Sequence, residues 1–367
     1  MTFKILKTDG RARTGILTIG KRKAETPFFM PVATKGTVKF MSPSDLEECN
    51  VQALISNAMI LSFKPGLDLI KKFNGLHNFT KWNGIQFTDS GGFQMSSPSL
   101  FISIDDKAVH FRNPFTKQKI TLTPEKCMEI QNELGSDVAM CLDHMPHPLH
   151  SRKIVADATR RTSLWAERCK KHHDKFKSKQ LLFGIVQGGL DKQLRKQSAS
   201  DLSKLNFDGY AIGGLGMGES KKQSYAIVDY SEKFLDSTKP RYLMGIGDPL
   251  DIIEAISHGI DCLDSKFPTQ NARHAVIFTK KGPIKLDKGP FTEDKRPLDE
   301  TCTCKVCKTY SRAFLRHLWK LNEYTVNHYL SYHNIYFIQN MLKEIRTSIK
   351  AKRFNAYKKN FLKNYKK

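Results

Sequence analysis

No run of apolar residues is long enough to cross a bilayer, about 18 or more, and the opening stretch MTFKILKTDGRARTG lacks the apolar centre of a secretory signal. A cytoplasmic address is the simplest expectation. Acidic residues are short: 36 Asp and Glu stand against 60 Lys and Arg, a formal charge of +24. Tryptophan is scarce, three in 367 residues, which weighs against a sugar cleft lined by indole rings. The eight cysteines form no disulfide framework. Cys49, Cys127, Cys141, Cys169 and Cys262 are scattered in mostly apolar surroundings, as reduced core thiols are.

What is present is a soluble, globular composition, 40% hydrophobic and 26% charged, long enough for one large domain or two ordinary ones. The cationic excess costs self-repulsion and points to a polyanionic ligand; a general lysine bias is the plain alternative. Part of the charge clusters. Between Met341 and Lys367 ten Lys or Arg face one acid, Glu344, with Phe354, Tyr357, Phe361 and Tyr365 interleaved. That pattern fits either a basic helix against RNA or a solvated terminus.

Cys302, Cys304 and Cys307 crowd into six positions, a spacing that reads as metal binding in a reducing compartment. Structural zinc takes four tetrahedral N or S ligands, so a fourth must come from elsewhere. His317, His328 and His333 all follow in a helical pattern, and each is a candidate on spacing alone.

Eight short apolar, β-branched-rich runs mark strands: 28–33, 53–57, 85–89, 137–143, 181–187, 209–213, 241–245 and 260–264. Helical patterns over 66–73, 124–134, 154–172, 190–205, 222–235 and 249–257 lie between them. This alternation predicts an α/β fold of the (β/α)8 TIM-barrel type. The Gly-, Pro- and charge-rich stretch 280–298 reads as an excursion, and 310–344 as helical. The expected organisation is a catalytic barrel with an N-terminal extension over 1–280, a zinc-binding subdomain over 281–340 and a basic tail over 341–367.

Asp89, Asp143, Gln187, Gly213, Gly214 and Asp264 all fall at the ends of these runs. In this barrel the carboxyl ends of the strands converge on one face, where active sites are built. Turn formers also collect at strand ends, which is the ordinary explanation for one or two such residues. In Asp89-Ser90-Gly91-Gly92-Phe93-Gln94 the glycines permit close backbone approach and Ser90 can donate a hydrogen bond. Asp89 and Asp264 facing each other across a sugar would suit glycosidic chemistry: one carboxylate attacks the anomeric carbon while the other handles the leaving group's proton.

Several motifs in order carry a resemblance. They are DSGGFQ (89–94), GSDVAMCLD (135–143), FGIVQGG (183–189), GYAIGGLGMGE (209–219), RYLMGIG (241–247), GIDCLDSKFPTQNAR (259–273) and the cysteine cluster followed by SYHN around His333. The chain resembles the tRNA-guanine transglycosylase (queuine tRNA-ribosyltransferase) family, bacterial type, from about Gly10 to Phe337. The resemblance implies Asp264 as the nucleophile on C1′ of the target guanosine and Asp89 as general acid/base. It implies base binding by Ser90, Gly91, Gly92, Phe93, Asp143, Gln187, Gly214 and Met244, with Phe93 and Met244 sandwiching the base. Gly245, Ile246, Gly247, Asp248, Pro249, Leu250 and Asp251, with Thr269, Gln270, Asn271, Ala272 and Arg273, match RNA-contacting segments. Cys302, Cys304, Cys307 and His333 match the ligands of one structural zinc per subunit. A tRNA anticodon loop, a small 7-deazaguanine base and a second copy in a homodimer are the implied partners.

The chain departs from the family pattern in places. Gln270 stands where arginine is common, Ser265-Lys266 replace a small sulfur-containing and apolar pair, and Met145 and Met217 replace smaller pocket residues. The bulk of Met217 tilts the expected substrate toward the small aminomethyl base preQ1 rather than queuine. Three rival readings are weaker. A non-catalytic RNA-binding subunit is disfavoured by retention of both Asp89 and Asp264, and a carbohydrate glycosidase by charge and scarce tryptophan. An archaeal-type exchange at another tRNA position is disfavoured because 34 residues follow His333.

Overall fold

The structure, a computed structural model, describes residues 2–91, 97, 99–147 and 149–366. Eight parallel strands form one sheet: β1 (Phe28–Pro31), β2 (Ala53–Asn57), β3 (Ile85–Asp89), β4 (Val138–Met140), β5 (Leu181–Val186), β6 (Gly209–Ile212), β7 (Arg241–Leu243) and β8 (Cys262–Ser265). From β2 to β8 each strand pairs with the next, and β8 pairs with β1. The ring is completed where Val32 bridges Ile55 and the Ala33 amide donates to the Ile55 carbonyl at 2.7 Å. The predicted barrel is therefore the observed one, and each expected strand overlaps its observed counterpart.

The chemistry of these segments explains the closure. β5 (LLFGIV) is buried along its whole length, the signature of a parallel strand covered on both faces. Inside the barrel, Phe28, Phe87, Phe183 and Tyr242 come from β1, β3, β5 and β7, with Phe87 touching each of the others at ring separations of 5.7–6.3 Å. This is one layer of four side chains drawn from alternate strands. Phe183 has room because its neighbour on β6 is Gly209: a Cβ there would sit 2.4 Å from the ring.

The surrounding helices start on short polar caps. Thr123 accepts from the Lys126 amide ahead of Pro124–Leu134, Asp191 accepts from Gln193 and Leu194, and Asp248 accepts from Leu250 ahead of Pro249–Ser257. Two antiparallel sheets go beyond what the sequence pattern predicts. One is N-terminal (Thr2–Asp9, Ala12–Ile19, Arg22–Thr26); the other (Phe101–Ile104, Val109–Arg112, Lys119–Leu122) lies between β3 and Pro124–Leu134. The N-terminal sheet ties itself to residues just before barrel strands: Arg13 to Asp261 at 2.5 Å, Arg22 to Asp137 at 3.2 Å, and the Glu25 amide to Gln52 at 2.7 Å. It thus sits at the strand-start end and leaves the carboxyl ends open.

Beyond the barrel, the region read as an excursion, 280–298, holds the second strand of a hairpin (Ile284–Lys285, paired with Val276–Ile277 just before it) and, among the described residues, a 3-10 turn (Gly289–Phe291). The helical stretch divides at residues 321–323 into Arg312–Lys320 and Tyr324–Lys350. The long helix packs on the β1 and β8 side: Gln339 donates to the Phe29 carbonyl, and Asn334 donates to those of Pro268 and Val276. The basic C-terminal residues form a helix, Phe354–Asn364, with Phe354 and Tyr365 buried. Its bonds to the rest of the protein include Tyr357 with Glu344 and Lys358 with Glu254.

Candidate active site and metal centre

Every described member of the expected site lies at the carboxyl end of a barrel strand. Asp89 ends β3 and Asp264 lies in β8, while Gln187 and Met244 directly follow β5 and β7. Gly214 and Asp143 come shortly after β6 and β4. Ser90 and Gly91 follow Asp89; Gly92 and Phe93 lie outside the described residues.

Asp264 is buried and held by two donors on one oxygen: the Tyr242 hydroxyl at 2.5 Å and the Gly245 amide at 2.8 Å, both to Oδ1. Burial raises its pKa, and these two donors oppose the rise by stabilising the carboxylate. Asp89 receives the Asn57 amide at 3.1 Å, the Gly91 amide at 3.0 Å and a further backbone donor, Ala58. Burial nevertheless pushes its pKa up to about 7, and the charge of Asp264 adds to that rise. The charge of Asp264 thus reaches Asp89, and the charges of both reach Tyr242. Tyr242 and Asn57 escape a reading of the sequence. The available signal is position alone, since Asn57 is the last residue of β2 and Tyr242 lies within β7.

Beside this pair, Asp143 accepts from Gln187 Nε2 at 2.7 Å and from the Ser90 side chain. Burial lifts its pKa to about 6. The Gln187 side chain lies over Gly213 and Gly214, where a Cβ would meet its amide at 2.7 and 2.5 Å. Gly214 has φ 69°, so a glycine meets both the backbone angle and the close approach. Among the described residues, buried Gln187 Oε1 has no hydrogen-bond partner. Asp143, Gln187 and Ser90 thus form one connected polar cluster.

The expected RNA-contacting segments follow β7 and β8. In the first, Asp248 caps Pro249–Ser257, and Gly247 packs on the end of β8, where a Cβ would meet that of Ser265 at 2.5 Å. In the second, Thr269, Gln270, Asn271 and Ala272 lie on the short helix Phe267–Ala272, with Arg273 at its end.

Cys302, Cys304, Cys307 and His333 come together, their donor atoms all within 4.8 Å of one another, as a group that could hold a metal ion. His333 Nδ1 stands 3.8, 3.6 and 3.3 Å from the sulfurs of Cys302, Cys304 and Cys307. Tetrahedral zinc with ordinary Zn–S and Zn–N bonds separates sulfur from nitrogen by about 3.6 Å, so the donor set fits such an ion. His333 Nε2 lies 2.8 Å from the Phe278 carbonyl; a proton there leaves the Nδ1 lone pair facing the sulfurs. Of the three candidate histidines, His333 is the one in the cluster. His328 instead contacts the Phe40 carbonyl.

The fold and the converging strand-end residues define a TIM-barrel enzyme with a metal-capable loop beside the barrel. Residues 8–367 match the family model described as queuine tRNA-ribosyltransferase. The chain is similar to the queuine tRNA-ribosyltransferase of Fusobacterium nucleatum, at 42% identity over 100% of this chain and 98% of the relative. It is 44% identical to that of Thermoanaerobacter sp. over 99% of this chain and 97% of the relative, and 43% identical to that of Oceanobacillus iheyensis over 100% and 97%. The chain belongs to the queuine tRNA-ribosyltransferase family.

Proposed function

We propose that this enzyme is a tRNA-guanine transglycosylase. It exchanges guanine at the wobble position of GUN-anticodon tRNAs for a 7-deazaguanine, in queuosine biosynthesis. The observation that carries this reading is the pair of unlike carboxylates at the open end of the barrel. Asp264, held through Oδ1 by Tyr242 and Gly245, leaves Oδ2 to attack C1′ of the target ribose. As that bond forms, the C1′–N9 bond breaks, and guanine leaves with a proton from Asp89. The incoming base gives its N9 proton to Asp89 and its nitrogen displaces Asp264, so the proton count is unchanged over a cycle. A pKa of about 7 suits Asp89 to both halves.

Asp143 and Gln187 would read the polar edge of the base, with the Gly214 backbone; an anticodon nucleotide can leave its stack at low cost. Met244 and Phe93 would stack on its faces. The bulk of half-buried Met217 favours preQ1 over queuine. Zinc, one per chain, would be held by Cys302, Cys304, Cys307 and His333; with four protein ligands it would stabilise the fold rather than take part in the exchange. A cytoplasmic location and a homodimer complete the reading.

The test is incorporation of labelled guanine into tRNA by wild type and Asp264→Asn. The expected result is a loss of at least about a thousandfold in exchange, with tRNA binding and metal content retained. Exchange by the variant near the wild-type rate would remove Asp264 from its role. A parallel comparison of preQ1, queuine and preQ0 reports the incoming base.

A further inference from the structure

The helix Lys192–Ser203, capped by Asp191, meets the ends of two barrel strands with two fully buried polar side chains. Ser198 Oγ accepts from the Gln187 amide at 3.1 Å. Arg195 spreads its fork over three backbone carbonyls. Its Nε donates to that of Gly189 at 2.9 Å, and its Nη1 donates to those of Val186 and Gly213, both at 2.9 Å. Gly188 lets the helix come this close, since a Cβ there would stand 2.7 Å from the Arg195 backbone nitrogen. Two of these carbonyls lie at the end of β5 and just beyond it, and the third directly follows β6, so one side chain ties two strand ends together.

Among the described residues Arg195 forms no ion pair. A guanidinium shut away from water without a counter-ion is costly. Packing alone would be met by an apolar side chain of similar volume; what the fork adds is direction. Gly213 is held at both of its polar groups. Its N–H donates to the Val186 carbonyl at 3.1 Å, and its own carbonyl accepts from Arg195. The peptide joining Gly213 to Gly214 is trans, which turns its N–H opposite to its C=O. A carbonyl held from the helix layer therefore aims the Gly214 N–H away from that layer. Gly214 is buried, and among the described residues its N–H has no hydrogen-bond partner. A buried donor fixed in direction and left unmet suits the oxygen of a ligand.

We propose that Arg195 is a positioning residue for base recognition: its grip on the Gly213 carbonyl aims the Gly214 amide at the ring carbonyl oxygen of the bound base. This deepens, and rests on, the transglycosylase reading, in which the Gly214 backbone meets the polar edge of the base. Guanine and the 7-deazaguanines carry that oxygen. 2-Aminopurine keeps the purine frame and the amino group without it, so the aim of one amide contributes to selection for an oxo-purine.

The experiment is equilibrium dialysis of labelled guanine and labelled 2-aminopurine against the full chain: wild type, Arg195→Met, Arg195→Lys and, as a remote variant of lowered stability, Gly209→Ala. The readout is the ratio of the two dissociation constants. A general loss of binding-competent protein weakens both bases alike and leaves that ratio unchanged. Arg195→Met is expected to weaken guanine about five- to tenfold, the effect of one neutral hydrogen bond, and to leave 2-aminopurine at its wild-type affinity. Arg195→Lys keeps a donor but not the fork, so its ratio should fall by a smaller step, at least about twofold. Gly209→Ala should keep the wild-type ratio. A wild-type ratio in either Arg195 variant that folds, or an equal fall in Gly209→Ala, overturns the proposal. Melting curves show which variants fold, and Arg195→Lys decides if Arg195→Met does not. Wild type separates the two levels. If it binds guanine no better than 2-aminopurine, or exchanges no guanine into tRNA, the underlying reading fails; if it discriminates and exchanges while the variants match it, Arg195 alone loses its role.

Discussion

Three acidic side chains at the barrel mouth, Asp89, Asp143 and Asp264, all have pKa values raised by burial, but each has different partners. Asp89 offers a measurable consequence. Its pKa is about 7 in the folded chain against an ordinary 3.8, so the folded state holds this proton more tightly than the unfolded state. The stability it contributes is present below pH 4 and is lost as pH rises through 7. Asp89→Asn removes that slope. The variant's stability relative to wild type should therefore grow between pH 5 and pH 8, by roughly 2–4 kcal/mol, as read by denaturant titration at the two pH values. A difference independent of pH would mean that Asp89 is ionised throughout. The sequence disclosed all three acids, because a carboxylate following an apolar run is conspicuous. It did not disclose Tyr242 or Asn57: a tyrosine inside a strand looks like core, and an asparagine at a strand end looks like a turn.

At the scale of elements, the strands were legible because a parallel strand buried on both faces leaves a continuous apolar run. β5 and Pro124–Leu134 fit that rule and the capping rule respectively. The two antiparallel sheets were not legible. Thr2–Asp9 is exposed at nearly every position and Phe101–Ile104 at three of four, so neither shows the alternation that a half-buried strand imposes. Packing of Phe183 over Gly209 is equally silent in the sequence, yet it makes a firm prediction. A methyl group at Gly209 meets ring carbons at 2.4–2.6 Å inside a closed layer. Gly209→Ala should therefore cost about 1–3 kcal/mol, measured by chemical denaturation, whereas an unchanged midpoint would show that the layer can expand.

For the whole molecule, the Cys3His cluster joins the excursion after β8 to the long helix Tyr324–Lys350, and that helix grips the barrel through Asn334 and Gln339. Asn334, next to His333, donates to the carbonyl of Pro268 on the short helix after Asp264. Removing a bound metal should thus be felt at the site as well as in the subdomain. Quantitative chelation is expected to lower the melting temperature by on the order of 10 °C and to weaken tRNA binding, both restored by zinc. Protein purified with less than about half an equivalent of metal, or a melting point indifferent to its removal, would refute the assignment. Spacing alone made the ligand set readable in part, and the family resemblance supplied His333. Three cysteines in a row announce themselves, but the fourth ligand depends on a helix folding back, which spacing does not specify.

The ion pairs Arg13–Asp261 and Arg22–Asp137 fasten the N-terminal sheet to the strand starts, opposite the acids. One rim of the cylinder is thereby locked while the other stays open to change. A change of side chain at Ser265, Lys266 or Gln270, on the open rim, would alter what that rim grips without loosening the fastenings at the far rim that keep the staves together.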